Sequence, residues 1–292
     1  MLSVFGDESA DETQQRVFAV GGVIGDEARW KWLEERWIIC NEGTPFHATD
    51  CDSDGGNYKD REHSANKNLY KSLTILLAES GLGGWGFAID LQAQRRVFPE
   101  APDIAYYKCF LEVLKAMRNC AAYNKETVEF TFDMRRQDEY NAGYLYSRLM
   151  EHKDWKDYLF TKITFECSGK SNRVQVADLF ARETMKALDN YFGPVKRPPR
   201  KSFEALVETG RFHVEAISEE WFQDLKKQMD FHKELGPPEE YRDWLKENNF
   251  SHNTLNMFRY IEWRNREKLR PILNLPSSRR WCVALWSFHT TE

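Results

Sequence analysis

Several features that would quickly assign a protein class are missing from this sequence. The six cysteines are scattered over 292 residues and form no Cys-x-x-Cys pair, which favours reduced thiols over a zinc site or a disulfide framework. No apolar run approaches the roughly 18 residues that a membrane span needs. The first residues contain no basic region, so they do not resemble a signal peptide. We therefore expect a cytoplasmic protein with no membrane partner.

The chain also lacks an excess of basic charge and a complete nucleotide-binding loop. Its formal net charge of −5 argues against a protein coated in basic charge, but it leaves room for a nuclease that carries its own carboxylates. Gly169-Lys170-Ser171 follows a predicted strand, yet Thr164 stands where a Walker A motif needs its first glycine. Lys170, Ser171 and Arg173 instead mark a helix start, whose unpaired amides favour contact with a phosphate.

Hydrophobic periodicity predicts a mixed α/β fold. The apolar segments 2–6 and 17–24, joined by a polar run, predict an antiparallel hairpin, and the polar segment 44–64 is predicted as a loop. A mixed sheet flanked by helices follows from the order of elements. The remaining predicted strands are 85–91, 128–133 and 163–167, and the predicted helices are 28–38, 66–79, 103–121, 139–151 and 172–191.

A proline-rich basic segment indicates how the chain is divided. Residues 194–201 hold three prolines and four basic residues, which is typical of a linker or basic arm. We predict a domain at 1–193, this linker at 194–201 and a helical accessory region at 202–292. The accessory region mixes aromatic residues with arginine, which suits nucleic-acid contact and equally suits a protein partner or self-association.

Three carboxylates stand at the edges of elements that should be packed. Asp7 closes the first predicted strand, Asp133 closes the strand 128–133, and Asp178 lies on an apolar helix. Because burying a lone carboxylate is costly, each needs water, a partner or a metal. Mg²⁺ and Mn²⁺ take oxygen ligands and leave room for phosphate oxygens. We predict Asp7, Asp133 and Asp178 as core metal ligands and Glu8 as a candidate fourth ligand.

The polar residues around these acids each have a functional and a structural interpretation. Gln175 shares a helix face with Asp178 and would either orient a ligand or serve as an amide at the core edge. His47 and Asp50 would contact phosphate or assist proton transfer, although a loop histidine is more often simply exposed. Asp7-Glu8-Ser9 taken alone is also typical of a turn.

Four motifs together resemble a bacterial family known as domain of unknown function 3800. They are the hairpin that opens with Gly6-Asp7-Glu8-Ser9, the segment Phe46-His-Ala-Thr-Asp50, the strand that ends in Asp133, and the helix with Gln175-Val-Ala-Asp178. The resemblance covers roughly residues 1–190 and implies a ribonuclease H-like fold. It matches Asp7, Asp133 and Asp178 to the family's first-strand, fourth-strand and late-helix acids.

One expected acid has no good counterpart. Ribonuclease H-like sites often take a further carboxylate from the first helix, and the candidate here is Glu112. It shares a helix face with Lys108 and Lys115, so we expect it to be ion-paired and not a ligand.

The resemblance implies a nuclease that uses Mg²⁺ or Mn²⁺ to hydrolyse phosphodiester bonds of RNA or DNA. Two such ions can activate a water molecule and stabilise the leaving oxygen. Two alternatives stay open. One is a non-catalytic module, associated with defence or a mobile element, that binds nucleic acid or a partner. The other is a small-molecule phosphoesterase with the same site, for which a closed, nucleotide-sized pocket is expected.

Overall fold

The computed structural model describes residues 1–99, 104–133, 146, 159–193, 195–234, 239–247 and 260. The strands are β1 (Leu2–Ala10), β2 (Val17–Gly25), β3 (Gly83–Asp90), β4 (Val128–Asp133), β5 (Leu159–Glu166) and β6 (Phe212–Ile217). The described helices are α1 (Glu27–Cys40), α2 (Ala48–Ser53), α3 (His63–Glu79), α4 (Leu91–Val97), α5 (Ile104–Asn124), α6 (Asn172–Phe192), α7 (Lys201–Val207), α8 (Glu219–Glu234) and α9 (Glu239–Glu247).

The six strands form one mixed sheet in the order β5-β4-β1-β2-β3-β6. β2 is antiparallel to β1 and β3, whereas β1, β4 and β5 are mutually parallel and β6 is parallel to β3. The first five strands therefore follow the order 3-2-1-4-5 with only the second strand reversed, which is the ribonuclease H-like arrangement. The predicted fold class is confirmed.

The chain divides into two units, Met1–Phe222 and Gln223–Glu292. The first unit contains the whole sheet. In the described part of the second unit, the rings of Tyr241 and Tyr260 pack with their centroids 4.9 Å apart. Among the described residues, no helix combines the length and the apolar character that crossing a membrane requires. The domain and linker boundaries that the sequence places at residues 193 and 201 stay a prediction.

Helices cover both faces of the sheet, and two neighbouring residues of β2 show which helix lies on which face. A side chain at Gly21 would meet Ala181 of α6, whereas one at Gly22 would meet Val113 and Met117 of α5. Because successive residues of a strand face opposite sides, α6 and α5 pack on opposite faces. The α6 face holds a large core cluster, in which α1 and α3 bury Trp30, Leu33, Trp37, Leu73 and Leu77.

Two glycines, Gly21 on β2 and Gly86 on β3, let α6 approach the sheet closely. A Cβ atom at Gly21 would lie 2.9 Å from the backbone nitrogen and Cα of Ala181, which is too close for a real contact. Gly86 on β3 is paired with Gly21, and a Cβ atom at Gly86 would lie even closer to the side chain of Thr184 on the same helix. The glycine pair therefore fixes where the residues of α6 lie relative to β1.

The structure corrects the predicted end of the first strand. β1 does not close near Asp7 but continues to Ala10, because its ladder with β2 extends to the pair Ala10 and Phe18. Asp7 and Glu8 are therefore strand residues, and the turn of the hairpin begins later. The parallel ladder with β4, by contrast, ends at Gly6 and Phe132.

Two further segments differ from the predictions. The predicted loop 44–64 contains α2 and a 3-10 turn at Gly56–Tyr58, because Ala48, Cys51 and Tyr58 are buried in the core. The region predicted as helical after residue 201 contributes β6, an edge strand whose middle residues are partly buried or exposed and show no alternation. The predicted helix 139–151 lies outside the described residues, apart from Tyr146.

The turn between β1 and β2 is built around the buried carboxylate of Asp11. Its oxygens accept hydrogen bonds from the Thr13 hydroxyl and from the backbone N–H groups of Thr13, Gln15, Arg16 and Val17. Burial alone would raise the pKa of Asp11, but these hydrogen bonds outweigh it and lower the pKa to about 2. The ionised carboxylate therefore stabilises the hairpin.

Replacing Asp11 with alanine should lower the free energy of unfolding at pH 7 by about 2–3 kcal/mol, since several hydrogen bonds to a charged group are lost. The folded pKa lies below the value of about 3.9 expected for the unfolded chain. The stabilisation that comes from ionised Asp11 is thus complete above about pH 4 and disappears as the pH falls toward 2. Urea titrations at several pH values check this. Asp26→Ala, which removes an exposed helix cap, should cost about 1 kcal/mol; equal losses in both variants would contradict the prediction.

Candidate functional site

Asp7 and Asp133 occupy neighbouring positions on adjacent parallel strands. The last residues paired between β1 and β4 are Gly6 and Phe132, so the next residue of each strand is a carboxylate. Neighbouring strands lie about 4.8 Å apart. The two acids therefore stand side by side where the ladder between β1 and β4 ends.

The third predicted acid reaches the same face from α6. Asp7 is paired with Gly21, and residues paired across strands face the same side of a sheet. Gly21 faces α6 at Ala181, which lies one helical turn after Asp178. Asp7 is 6% exposed and Asp178 is 3% exposed, so both carboxylates are buried between the sheet and this helix.

The pKa shifts of these acids show that they act on one another. Burial raises the pKa of Asp7, and the charges of Asp178, Glu8 and Asp133 raise it further. Burial also raises the pKa of Asp178 to about 6, against the opposing effects of His47, the Ala48 amide and Arg182. Like charges are thus held close together in a poorly solvated place, where a bound cation would favour the ionised forms.

Each of the three carboxylates has one oxygen fixed by a backbone amide. The second oxygen of each accepts no hydrogen bond from any residue in the described ranges, which leaves it available to a cation. The amide donors are Glu8 to Asp7 Oδ1 at 2.7 Å, Ser168 to Asp133 Oδ1 at 2.8 Å, and Ala48 to Asp178 Oδ2 at 2.7 Å.

The side chain of Gln175 joins three segments around the acids. Its Oε1 accepts hydrogen bonds from Trp37 Nε1 at 3.2 Å and from the backbone N–H of Phe46 at 3.0 Å. Its Nε2 donates to the backbone oxygen of Ser168 at 2.9 Å. Because Asp178 holds the amide of Ala48, the two polar residues of the motif together fasten the segment 46–48 to α6.

His47 and Asp50 lie at the solvent side of this arrangement. His47 precedes α2, and its Nδ1 lies 3.2 Å from Asp50 Oδ2, with 51% and 37% of the two side chains exposed. The neighbouring residue, Ala48, donates to Asp178. The imidazole is therefore accessible to solvent and lies next to the residue that binds the buried carboxylate of Asp178.

The predicted anion-binding residues at the start of α6 have different surroundings. Ser171 occupies the N-cap position and makes no capping hydrogen bond to the described helix, and Lys170 is exposed. Arg173 is held by Glu27 and Glu34 at 2.7–2.8 Å. Since its charge is already neutralised, we leave Arg173 out of the proposed phosphate contacts.

Two glutamates lie apart from the three aspartates. Strand alternation places Glu8 on the α5 face of β1, although its charge still raises the pKa of Asp7. Glu112 binds Lys108 at 2.7 Å and Lys115 at 2.6 Å, which confirms that it is ion-paired.

The aspartates are neighbours but do not form a preassembled metal cage. In the ranges that the structure describes, no three His, Cys, Asp or Glu side chains are placed to hold one ion. Mg²⁺, however, is usually bound through one or two carboxylates together with waters and substrate phosphates. The all-oxygen donor set fits such a cation, because each carboxylate has one unused oxygen and the pKa values of Asp7 and Asp178 are raised.

Sequence reasoning missed two contributors to this site. The backbone of Ser168 links Asp133 to Gln175, and such a backbone role leaves no signal in the sequence. Arg182, one turn after Asp178, is 2% exposed and donates to Asp52 Oδ2 at 3.0 Å. The spacing of four residues after Asp178 on an apolar helix was the available signal for Arg182.

Comparisons with known proteins add a distant structural likeness. No family model and no curated protein matches the chain, so the resemblance to domain of unknown function 3800 stays a prediction. A chain in the solved structure of the PCNA:RNase HII complex from Archaeoglobus fulgidus is similar, with a TM-score of 0.39 and 12% identity over 75% of this chain and 92% of that chain. A likeness of this extent identifies neither an activity nor a substrate.

Asp178→Asn should stabilise the metal-free protein at pH 7.5. The folded pKa of about 6 exceeds the unfolded value of about 3.9, so ionised Asp178 costs stability, and this cost grows as the pH rises from 4 through 6. Asparagine removes the charge and keeps an acceptor for Ala48. We expect a gain of about 2–3 kcal/mol at pH 7.5 and little change at pH 4, measured by urea unfolding in EDTA.

A matched control is Asp90→Asn, since Asp90 caps α4 and asparagine caps equally well. Its effect should be small at both pH values. A destabilising effect of Asp178→Asn at pH 7.5 would contradict the account of a buried, mutually repelling cluster.

Proposed function

We propose that the protein is a divalent-metal-dependent nuclease that hydrolyses phosphodiester bonds of nucleic acid. The observation that carries this proposal is the meeting of buried Asp7 and Asp178, with raised pKa values, beside Asp133 on one face of the sheet. The ribonuclease H-like fold includes nucleases and members that use Mg²⁺. The motifs named above also lead us to propose membership of the domain of unknown function 3800 family.

Asp7, Asp133 and Asp178 would hold Mg²⁺ or Mn²⁺, whereas Glu8, the predicted fourth ligand, faces the opposite side of β1 and would act only through its charge. When bound, the ions would polarise the phosphate and lower the pKa of water at the site. The contribution of the chain is to hold the carboxylates close together and to orient them through the amides of Glu8, Ser168 and Ala48.

The neighbouring residues would act on the substrate. His47, which is half exposed and lies 3.2 Å from Asp50, would accept or donate a proton at the edge of the site. Lys170 and Ser171 at the start of α6 would contact a phosphate of the backbone, since the first amides of a helix favour an anion. Gln175 would act indirectly, by keeping the segment 46–48 against α6.

The second candidate function is a non-catalytic module that binds nucleic acid or a protein partner. It is favoured by the observation that, in the described ranges, no three metal-binding side chains are placed around one point. Such a module would keep the fold and its charged surfaces but would not depend on a metal.

The nuclease proposal is tested by incubating labelled single-stranded RNA, single-stranded DNA and an RNA–DNA hybrid with the full chain in Mn²⁺ or Mg²⁺. Wild type should cleave at least one substrate and lose activity in EDTA. Asp7→Asn and Asp178→Asn should each reduce cleavage at least about a hundredfold, because several kcal/mol of charge stabilisation depend on the metal.

Asp26→Asn, an exposed acid at the start of α1, is the charge-matched control and should cleave like wild type. Circular dichroism of each variant shows whether it is folded. Full activity in both Asp7→Asn and Asp178→Asn would contradict the mechanism. Binding without cleavage, unaffected by EDTA, would identify the non-catalytic module.

A further inference from the structure

The end of α6 and the segment after it present aromatic and basic side chains to solvent. We call this surface the basic arm and define it as Tyr191, Phe192 and residues 195–201. Tyr191, Phe192 and Val195 are 44%, 43% and 63% exposed. Exposed large apolar side chains that lie together mark an interaction site more often than isolated ones do.

The basic arm is held in place at both ends. The backbone N–H of Arg197 donates to the oxygen of Asn190 at 3.0 Å, and the Asn190 side chain donates to the oxygen of Pro198 at 3.3 Å. At the other end, Arg200 makes two hydrogen bonds to the carboxylate of Asp52, at 2.8 and 3.1 Å. A ligand would therefore meet a surface that is largely preorganised.

Most of the charge of the basic arm is not neutralised by acids in the ranges that the structure describes. Lys196, Arg197 and Lys201 are exposed and form no ion pair with any residue that the structure describes. Lys196 Nζ lies 4.7 Å from the centre of the Tyr191 ring, so a cation and an aromatic face are presented together. Arg16 and Arg200, by contrast, are paired with Asp189 and Asp52.

The basic arm is connected to the acids of α6 through Asp52. Arg200 at the end of the arm and Arg182 of α6 both bind this carboxylate, and Arg182 lies one turn after Asp178. Along α6, Asp178 and Phe192 are fourteen residues apart, which at 1.5 Å per residue is about 20 Å. A ligand that contacts both places must be at least this long.

We propose that the basic arm binds a single-stranded stretch of nucleic acid and directs it to the acid site, an inference that rests on the proposed nuclease function. Aromatic rings stack on bases that are not paired, and lysine and arginine bind the phosphates between them. In a duplex the faces of the bases are covered by their neighbours, so Tyr191 and Phe192 select single strands. At the stacked spacing of about 3.4 Å per nucleotide, 20 Å corresponds to about six nucleotides, and a more extended strand needs fewer.

The test uses the full chain in EDTA and fluorescence anisotropy with labelled 12-nucleotide and 4-nucleotide single strands and a 12-base-pair duplex. Wild type should bind the 12-nucleotide strand at least tenfold more tightly than the duplex or the 4-nucleotide strand. The double variant Lys196→Glu/Arg197→Glu should weaken binding at least tenfold and lower the slope of log affinity against log salt by about 1.4. Phe192→Ala should weaken binding about 5- to 100-fold.

The charge-matched control is Lys31→Glu/Lys71→Glu, which reverses two exposed charges on α1 and α3 and should bind within twofold of wild type. The proposal is overturned if Lys196→Glu/Arg197→Glu binds the 12-nucleotide strand as wild type does, or if the duplex binds as tightly as the single strand. It is also overturned if polyglutamate competes as well as the oligonucleotide, because that result would point to an acidic protein partner. Metal-dependent cleavage that persists alongside any of these results would leave the nuclease proposal standing, so the two failures are distinguishable.

Discussion

The candidate site depends on burying two carboxylates, those of Asp7 and Asp178, close together on one face of the sheet. Asp7 and Asp178 lie between β1 and α6, which approach closely because Gly21 and Gly86 carry no side chains. Such burial is costly unless the charges are compensated. Backbone amides supply part of the compensation, and the rest is left to protonation or to a cation. The raised pKa values are the consequence of this arrangement.

A single helix connects the features that bear on function. α6 provides Asp178, and through Gln175 and Asp178 it fixes the segment that carries His47. Further along, Arg182 and Arg200 share Asp52, and the end of the helix begins the basic arm. Asp178 and the start of the surface proposed to bind a single strand therefore belong to one continuous helix, so a change in how α6 packs on Gly21 would affect both.

Much of this architecture could be predicted from local patterns, and the exceptions have physical causes. The hairpin, the strand that ends at Asp133 and α6 are strongly periodic, and the motif residues Asp7, Asp133 and Asp178 followed from polar positions within apolar elements. The length of β1 was missed because the polar residues after Gly6 still pair with β2. α2 and β6 were missed because long-range contacts, not local propensity, determine them. The backbone of Ser168 links Asp133 to Gln175, and a backbone contact cannot be predicted from the identity of the side chain.

The measurement that tests the central claim most directly is anomalous diffraction from crystals of the full chain soaked in Mn²⁺. The account predicts an anomalous peak about 2.0–2.3 Å from a carboxylate oxygen of Asp7 and from one of Asp133 or Asp178. The peak should disappear in crystals of the Asp7→Asn variant. Manganese bound only at other places, with the three aspartates unchanged and unliganded at saturating metal, would contradict the account.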